Sequence, residues 1–273
     1  MFIQKLKGYI PKIFSDPDWL LAWKNILLPS YCIHCDSRLI TEENPFYCPT
    51  CWATLPRIER PYCSLCGVPH PVAIGFGTRS NFPCEQCRTH PNPYIDSIRS
   101  PVQYKGIARD ALITFKFKKK QFMADPLGAL LREWIEIEMA EKHFDLIVPV
   151  PLHPFRLKRR GFNQSLLLAE QIVNSFEGAR LSEALIRVRP TLTQTLLTVQ
   201  ERKKNIRNAF QVQNPNEVKG KNILLIDDIV TTSATVTECA RVLKKSGAIS
   251  VHVLSVARAS HLSDIDDLLE PAI

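Results

Sequence analysis

The sequence predicts an α/β protein: a parallel-sheet domain preceded by a small double zinc-ribbon-like module. Three observations support this. Eight of the 9 cysteines lie between Cys32 and Cys87 as C-x-x-C pairs. Beyond Pro101, short apolar runs alternate with helical patterns, as in a sheet covered on both faces. The run Asn222 to Asp227, NILLID, is apolar enough for a strand buried on both sides. At 273 residues, 45% hydrophobic and net charge +8, the chain can form about two domains with cores, which excludes disorder. Only 10 glycines exclude a collagen-like repeat.

Residues 1–30 read as an amphipathic leader. Phe2, Ile3, Leu6, Ile10 and Ile13 recur at helical spacing with Lys5, Lys7 and Lys12 between them, and Pro11 interrupts the pattern. Such a helix docks on protein or lies peripherally on a membrane surface. Its charges exclude a secretory signal, and no apolar run nears the roughly 18 residues of a membrane span. A soluble, cytoplasmic protein is expected.

Residues 31–94 form the cysteine module. The knuckles are Cys32/Cys35, Cys48/Cys51, Cys63/Cys66 and Cys84/Cys87, all within 56 residues. A two-residue gap lets both thiolates of a tight turn face one cation, and two turns complete a tetrahedral zinc shell. A disulfide framework belongs to secreted chains. Sequential pairing leaves 12 and 17 residues between knuckles, and an interleaved pairing uses the same ligands. His34 reads as a bystander. Residues 29–101 carry 11 of the 20 prolines, the composition of a loop-rich module held by metal.

The parallel-sheet domain is expected over 95–260, with an acidic tail at 261–273. Strands are expected at Ser97–Tyr104, Asp145–Val150, Leu185–Val188, Asn222–Asp227 and Ile249–Ala257. Helices are expected at Ala108–Phe117, Leu127–Lys142, Asn163–Phe176 and Thr235–Lys245, with a Pro- and Arg-rich loop after Val150. The stretch ILLIDDIVTTSAT, from Ile223, carries the chemistry. A buried strand delivers Asp227 and Asp228 to the C-terminal edge of the sheet, where ligands of open α/β sheets bind. Thr231, Thr232, Ser233 and Thr235 follow, and then a helix whose first N–H groups and dipole attract an anion. Adjacent carboxylates accept from a diol or hold Mg²⁺. Together they suit a ribose 5-phosphate. A Walker B strand would need a P-loop, which the chain lacks, and a receiver domain needs more than the 46 residues after Asp227. Gly75-Phe76-Gly77 lacks the third glycine of a dinucleotide fingerprint. A helix cap alone would leave the convergence of these features unexplained.

At these residues the chain resembles the phosphoribosyl-pyrophosphate (PRPP) loop of type I phosphoribosyltransferases. More closely, it resembles the ComF family, associated with natural competence. The likeness runs from Pro29 to Ala259 and includes the cysteine knuckles, Tyr104-Lys105-Gly106, Val148–Pro154 and Arg160–Gln164. It continues through Thr191–Gln194 with Arg202 and Asn205, then the Asp-Asp loop. The resemblance implies that Asp227 and Asp228 face the ribose hydroxyls. Thr231, Thr232, Ser233, Ala234 and Thr235 would cradle the 5-phosphate, and Pro149–Pro154 would approach pyrophosphate. Residues 187–208 would form a flap over the site. Ser233 departs from the family, which commonly has Gly there.

Basic clusters occur at Lys116–Lys120, at Arg156 to Arg160 and at Arg202 to Arg207. Residues 95–273 hold 26 basic and 20 acidic side chains, net +6, so phosphate attraction centres on this domain. Such clusters suit sequence-independent binding of single-stranded DNA, with Phe155, Phe162 and Phe210 available to stack on bases or to pack a core. Two functions are therefore expected. One, implied by the resemblance to the ComF family, is a binding role in natural transformation, with a phosphoribosyl ligand, single-stranded DNA and a competence helicase or other uptake protein as partners. The other is a Mg²⁺-dependent phosphoribosyltransferase, with Asp227, Asp228, Arg160 and Arg202 as its catalytic candidates. Cys239, inside a helix, reads as packing.

Overall fold

The computed structural model describes residues 29–39, 44–70, 80–117, 120–190 and 205–259. Outside them lie the expected tail over 261–273 and all but the last two residues of the expected leader over 1–30. Arg202, Thr191–Gln194, Lys118, Lys119, Lys203, Lys204 and Gly75-Phe76-Gly77 also lie outside them. The chain divides into two compact units, Met1–Ala53 and Thr54–Ile273. The division falls within the expected cysteine module and gives each unit one cluster.

In the first unit, β1 (Ser30–Tyr31) and β2 (Arg38–Leu39) pair antiparallel around the Cys32 turn, and α1 (Pro49–Ala53) carries Cys51. Asn44 Oδ1 accepts the N–H groups of Phe46 and Tyr47 at 3.0 and 3.1 Å. Ile33 N–H donates to the Phe46 carbonyl at 2.9 Å, joining the two knuckles through the main chain.

The second unit opens with the other cluster, including Cys87 on α2 (Glu85–Thr89). The single strand expected at Ser97–Tyr104 is two pieces, β3 (Ser97–Arg99) and β4 (Val102–Gln103), separated at Pro101, which has no N–H to donate. Then come α3 (Gly106–Phe117), α4 (Ala124–Glu138) and β5 (Leu146–Pro149). Residues 154–160, expected as a loop, are instead the short helix α5 (Pro154–Arg160). His153 caps its first turn, Pro154 supplies its preset φ, and Gly161 ends it at φ 90°. Asn163 caps α6 (Gln164–Ile172), whose end tightens into a 3₁₀ turn over Val173–Ser175 instead of running on to Phe176. β6 (Arg180–Leu181) follows. Next, β7 (Leu185–Arg187) and β8 (Phe210–Val212) form a separate antiparallel pair. The chain closes with α7 (Pro215–Val218), β9 (Asn222–Val230), α8 (Ala234–Lys245) and β10 (Ser250–Arg258).

The main sheet has the order β3-β10-β9-β5-β6, with β4 also on β10, and every pairing is parallel. Ile223, Leu224, Leu225 and Ile226 are fully buried, as expected for a central strand. Ile223, Leu225, Val251 and Val253 share one core with Val236, Cys239 and Leu243 of α8, while α6 packs against β5 and β9. β5 leaves β9 at Pro149↔Ile226, whereas β10 stays paired as far as Arg258↔Val230. Beyond Ile226, then, β9 has a neighbour on one side only. This end of the sheet opens the site.

Candidate functional site

The cysteines form two clusters in sequential pairing, Cys32/Cys35/Cys48/Cys51 and Cys63/Cys66/Cys84/Cys87, each with sulfurs within 4.8 Å of one another. No disulfide forms among them. The Cys35–Cys48 and Cys66–Cys84 sulfurs stand 3.7 and 3.8 Å apart. A tetrahedron with zinc–sulfur bonds of about 2.3 Å has an edge of about 3.8 Å, so the shells already have the right size. Main-chain N–H groups turn toward sulfur, Cys51 to Cys48 and Cys66 to Cys63 at 3.4 Å, and Cys84 to Cys63 at 3.2 Å. These bonds support thiolates rather than thiols. The two clusters fit two zinc-ribbon sites, and His34 belongs to neither.

The second site is built where β9 passes its neighbour. The strand was expected to end at Asp227, but it continues to Val230, so the two acids stand within it. Alternation along a strand sends them to opposite faces. Asp227, on the face of Ile223 and Leu225, lines a small open cleft together with Thr231, Ser233, Ala234 and Thr235. Asp228, 6% exposed, points the other way, and its Oδ1 lies 3.0 Å from Lys116 Nζ. Lys116 belongs to the first basic cluster, and only the fold reveals its pairing with an acid far along the chain.

Asp227 Oδ1 accepts from Ser165 Oγ at 3.2 Å and from the Asp228 N–H at 2.9 Å. Burial, and then the neighbouring Asp228 charge, push its carboxyl up to about 7. A carboxyl raised to this range gives up its proton readily when a cation arrives beside it.

At the other wall, Ser233 adopts the left-handed conformation, φ 62° and ψ 5°, and α8 begins with no side-chain cap. Thr237 N–H is the first to bond back along the helix, to the Ser233 carbonyl at 2.8 Å. The N–H groups of Ala234, Thr235 and Val236 precede that ladder and give the helix start its positive end. Thr232 Oγ1 is buried without a hydrogen-bond partner among the described residues. An uncapped helix start and an orphaned hydroxyl together match the donor set an anion requires.

Val150 N–H donates to the Ile226 carbonyl at 2.9 Å, bringing the 149–154 loop alongside the acids. Arg160, a catalytic candidate, lies beyond this loop. Its Nη1 donates to Gln164 Oε1 at 2.8 Å and its guanidinium lies 5.5 Å from the Phe117 ring centre, so it does not line the cleft. Arg202, the other cationic candidate, lies outside the described residues. Of the three phenylalanines, Phe162 meets Phe115 and Phe210 is core, leaving Phe155, 70% exposed on α5, as the surface ring. Cys239 is fully buried behind β9, as expected of a packing residue.

Two domain families match this chain: a double zinc ribbon domain over residues 23–88 and a phosphoribosyl transferase domain over residues 163–267. DNA utilization protein YhgH of Escherichia coli is 34% identical over 207 residues, covering 74% of this chain and 86% of that protein. Competence protein F of Haemophilus influenzae is 30% identical over 234 residues, covering 84% and 96%. Competence protein ComFC of Bacillus subtilis is 28% identical over 250 residues, covering 84% and 95%.

Proposed function

Because the chain belongs to the family of DNA utilization protein YhgH and Competence protein F, we propose that it acts in DNA utilization through a phosphoribosyl-binding site. The ligand class is a ribose 5-phosphate or PRPP, and the biological setting is the handling of single-stranded DNA in natural transformation. The observation that carries this reading is the uncapped start of α8 facing Asp227 across one cleft. A 5-phosphate matches the positive start of α8 and the Thr232 hydroxyl. Ribose hydroxyls match Asp227, whose carboxyl sheds its proton to accept from them. Asp228, on the other face of β9 and paired with Lys116, supports Asp227 from behind rather than touching the ligand.

Mg²⁺ bound with PRPP would draw on Asp227 together with the oxygens of the ligand, because Mg²⁺ prefers one or two carboxylates plus substrate phosphates. It would neutralise the pyrophosphate. The zinc-ribbon clusters, with every ligand supplied by protein, serve structure. A second reading, pentosyl transfer from PRPP to an acceptor, is favoured by the hydrogen bond that seats the 149–154 loop beside β9.

Calorimetric titration of the zinc-loaded protein with PRPP and Mg²⁺ tests the site, and a pyrophosphate-release assay in the same buffer separates binding from transfer. Saturable binding that disappears in Asp227→Asn/Asp228→Asn is expected. Unchanged affinity in that double variant overturns the assignment.

A further inference from the structure

The Cys63/Cys66 knuckle is fastened to the edge of the parallel sheet by its main chain. Ile98 N–H donates to the Leu65 carbonyl at 2.7 Å, and Arg99 Nη2 to the Ser64 carbonyl at 2.8 Å. At Gly67, φ +71°, an added Cβ would stand 2.6 Å from the Ile98 carbonyl oxygen, so the approach admits only glycine. The next carbonyl, that of Cys66, accepts from Arg258 Nε at 3.1 Å. Arg258 is the last residue of β10 and only 6% exposed. Its Nη1 donates to the Val230 carbonyl at 3.0 Å and to the Thr231 carbonyl. One planar fork thus spans from a metal-ligand residue to the first residues of the turn that leads into α8. A lysine ammonium, a single point of charge on a flexible stem, cannot hold both sides of that span. A buried guanidinium also needs a countercharge, and four thiolates around a divalent cation supply a net negative one beside it.

We infer that Arg258 is a positioning residue that couples metal occupancy of the second cysteine cluster to the affinity of the 231–235 turn for a sugar phosphate. The inference rests on the reading of that turn as a phosphate site. With metal bound, the knuckle is fixed and the Cys66 carbonyl holds one side of the fork. The other side then clamps Val230 and Thr231, setting the direction of the N–H groups that follow. Without metal, Arg258 loses its acceptor and its countercharge together, and the turn loses its clamp. Such a coupling is reciprocal: the ligand must tighten metal binding by the factor with which metal tightens ligand binding.

Full-length, zinc-loaded protein is titrated with a chromophoric chelator, with and without saturating ribose 5-phosphate, and ribose 5-phosphate binding is measured in parallel by calorimetry. In wild type, ribose 5-phosphate is expected to raise the zinc affinity of one of two sites about five-fold or more, leaving the other unchanged. The ligand-sensitive site should persist in Cys35→Ser, which damages only the first cluster. In Arg258→Lys the effect should vanish while ribose 5-phosphate still binds, more weakly. Neither site responding in wild type, with the ligand bound, overturns the coupling whether or not any variant folds. So does an undiminished response in Arg258→Lys. Absence of ribose 5-phosphate binding to zinc-loaded wild type overturns the sugar-phosphate reading itself, and this inference with it.

Discussion

Replacing Asp227 with Asn removes a titrating carboxyl while preserving its shape and its capacity to accept from Ser165 and the Asp228 N–H. In the folded protein burial raises this carboxyl from its ordinary 3.8 to about 7. The folded value lies above the unfolded one, so the native state keeps a proton that the unfolded chain has released. The stability tied to that proton is fully present below the unfolded value and is lost as pH rises through about 7, at about 1.4 kcal/mol per pH unit. From pH 5.5 to 7 this amounts to about 2 kcal/mol, and water in the open cleft lowers it toward about 1 kcal/mol. Asn does not titrate. Asp227→Asn should therefore gain on wild type by about 1 to 2 kcal/mol between pH 5.5 and pH 8. Urea unfolding of both proteins, zinc-saturated and Mg²⁺-free, provides the assay. The difference between the two proteins cancels Asp96, Glu138 and Glu238, whose carboxyls are lowered and are ionised throughout this range. A difference that stays flat, or that shrinks as pH rises, would show Asp227 already ionised at pH 5.5 and refute the burial argument.

Three further outcomes are expected. Ser233→Gly relieves a left-handed residue that costs about 1–2 kcal/mol, and the freer unfolded chain takes back about half. The net gain of about 0.5–1 kcal/mol should appear as a rise in Tm of about 2 °C by calorimetry, with sugar-phosphate affinity retained. Lys116→Ala should leave Asp228 buried without its cation, and a double-mutant cycle with Asp228→Asn should return a coupling of about 1–3 kcal/mol in urea unfolding. Phe155→Ala removes the exposed ring of the basic helix α5 and should weaken oligothymidine binding by fluorescence anisotropy about five-fold or more, because each stacked base contributes about 1–3 kcal/mol.

The cysteine clusters were legible because a C-x-x-C gap fixes local geometry that no distant contact alters, whereas their pairing needed the fold. β9 was legible from NILLID as a buried strand, but its end was not. Residues 228–230 remain strand because β10 stays paired with them after β5 has departed, a fact about neighbours rather than composition. For that reason the two acids, adjacent in sequence, face opposite sides of the sheet. α5 was missed because prolines and arginines read as loop, although His153, Pro154 and Gly161 together spell a start and a stop. Ser233 was visible as a departure from glycine, and the structure shows the backbone strain that departure implies. Lys116 and Arg258 were invisible as site residues. Each meets a partner far away in sequence, Asp228 and the Val230 carbonyl respectively, that only the fold brings close.

The central claim is that the turn from Asp227 into α8 holds a phosphorylated ribose. A crystal structure of the zinc-loaded protein with ribose 5-phosphate addresses it without intermediaries. Phosphate oxygens within about 3 Å of the main-chain nitrogens of Ala234 and Thr235, and a ribose hydroxyl on Asp227, are the predicted result. A ligand bound elsewhere, with this helix start still facing only solvent, would contradict it.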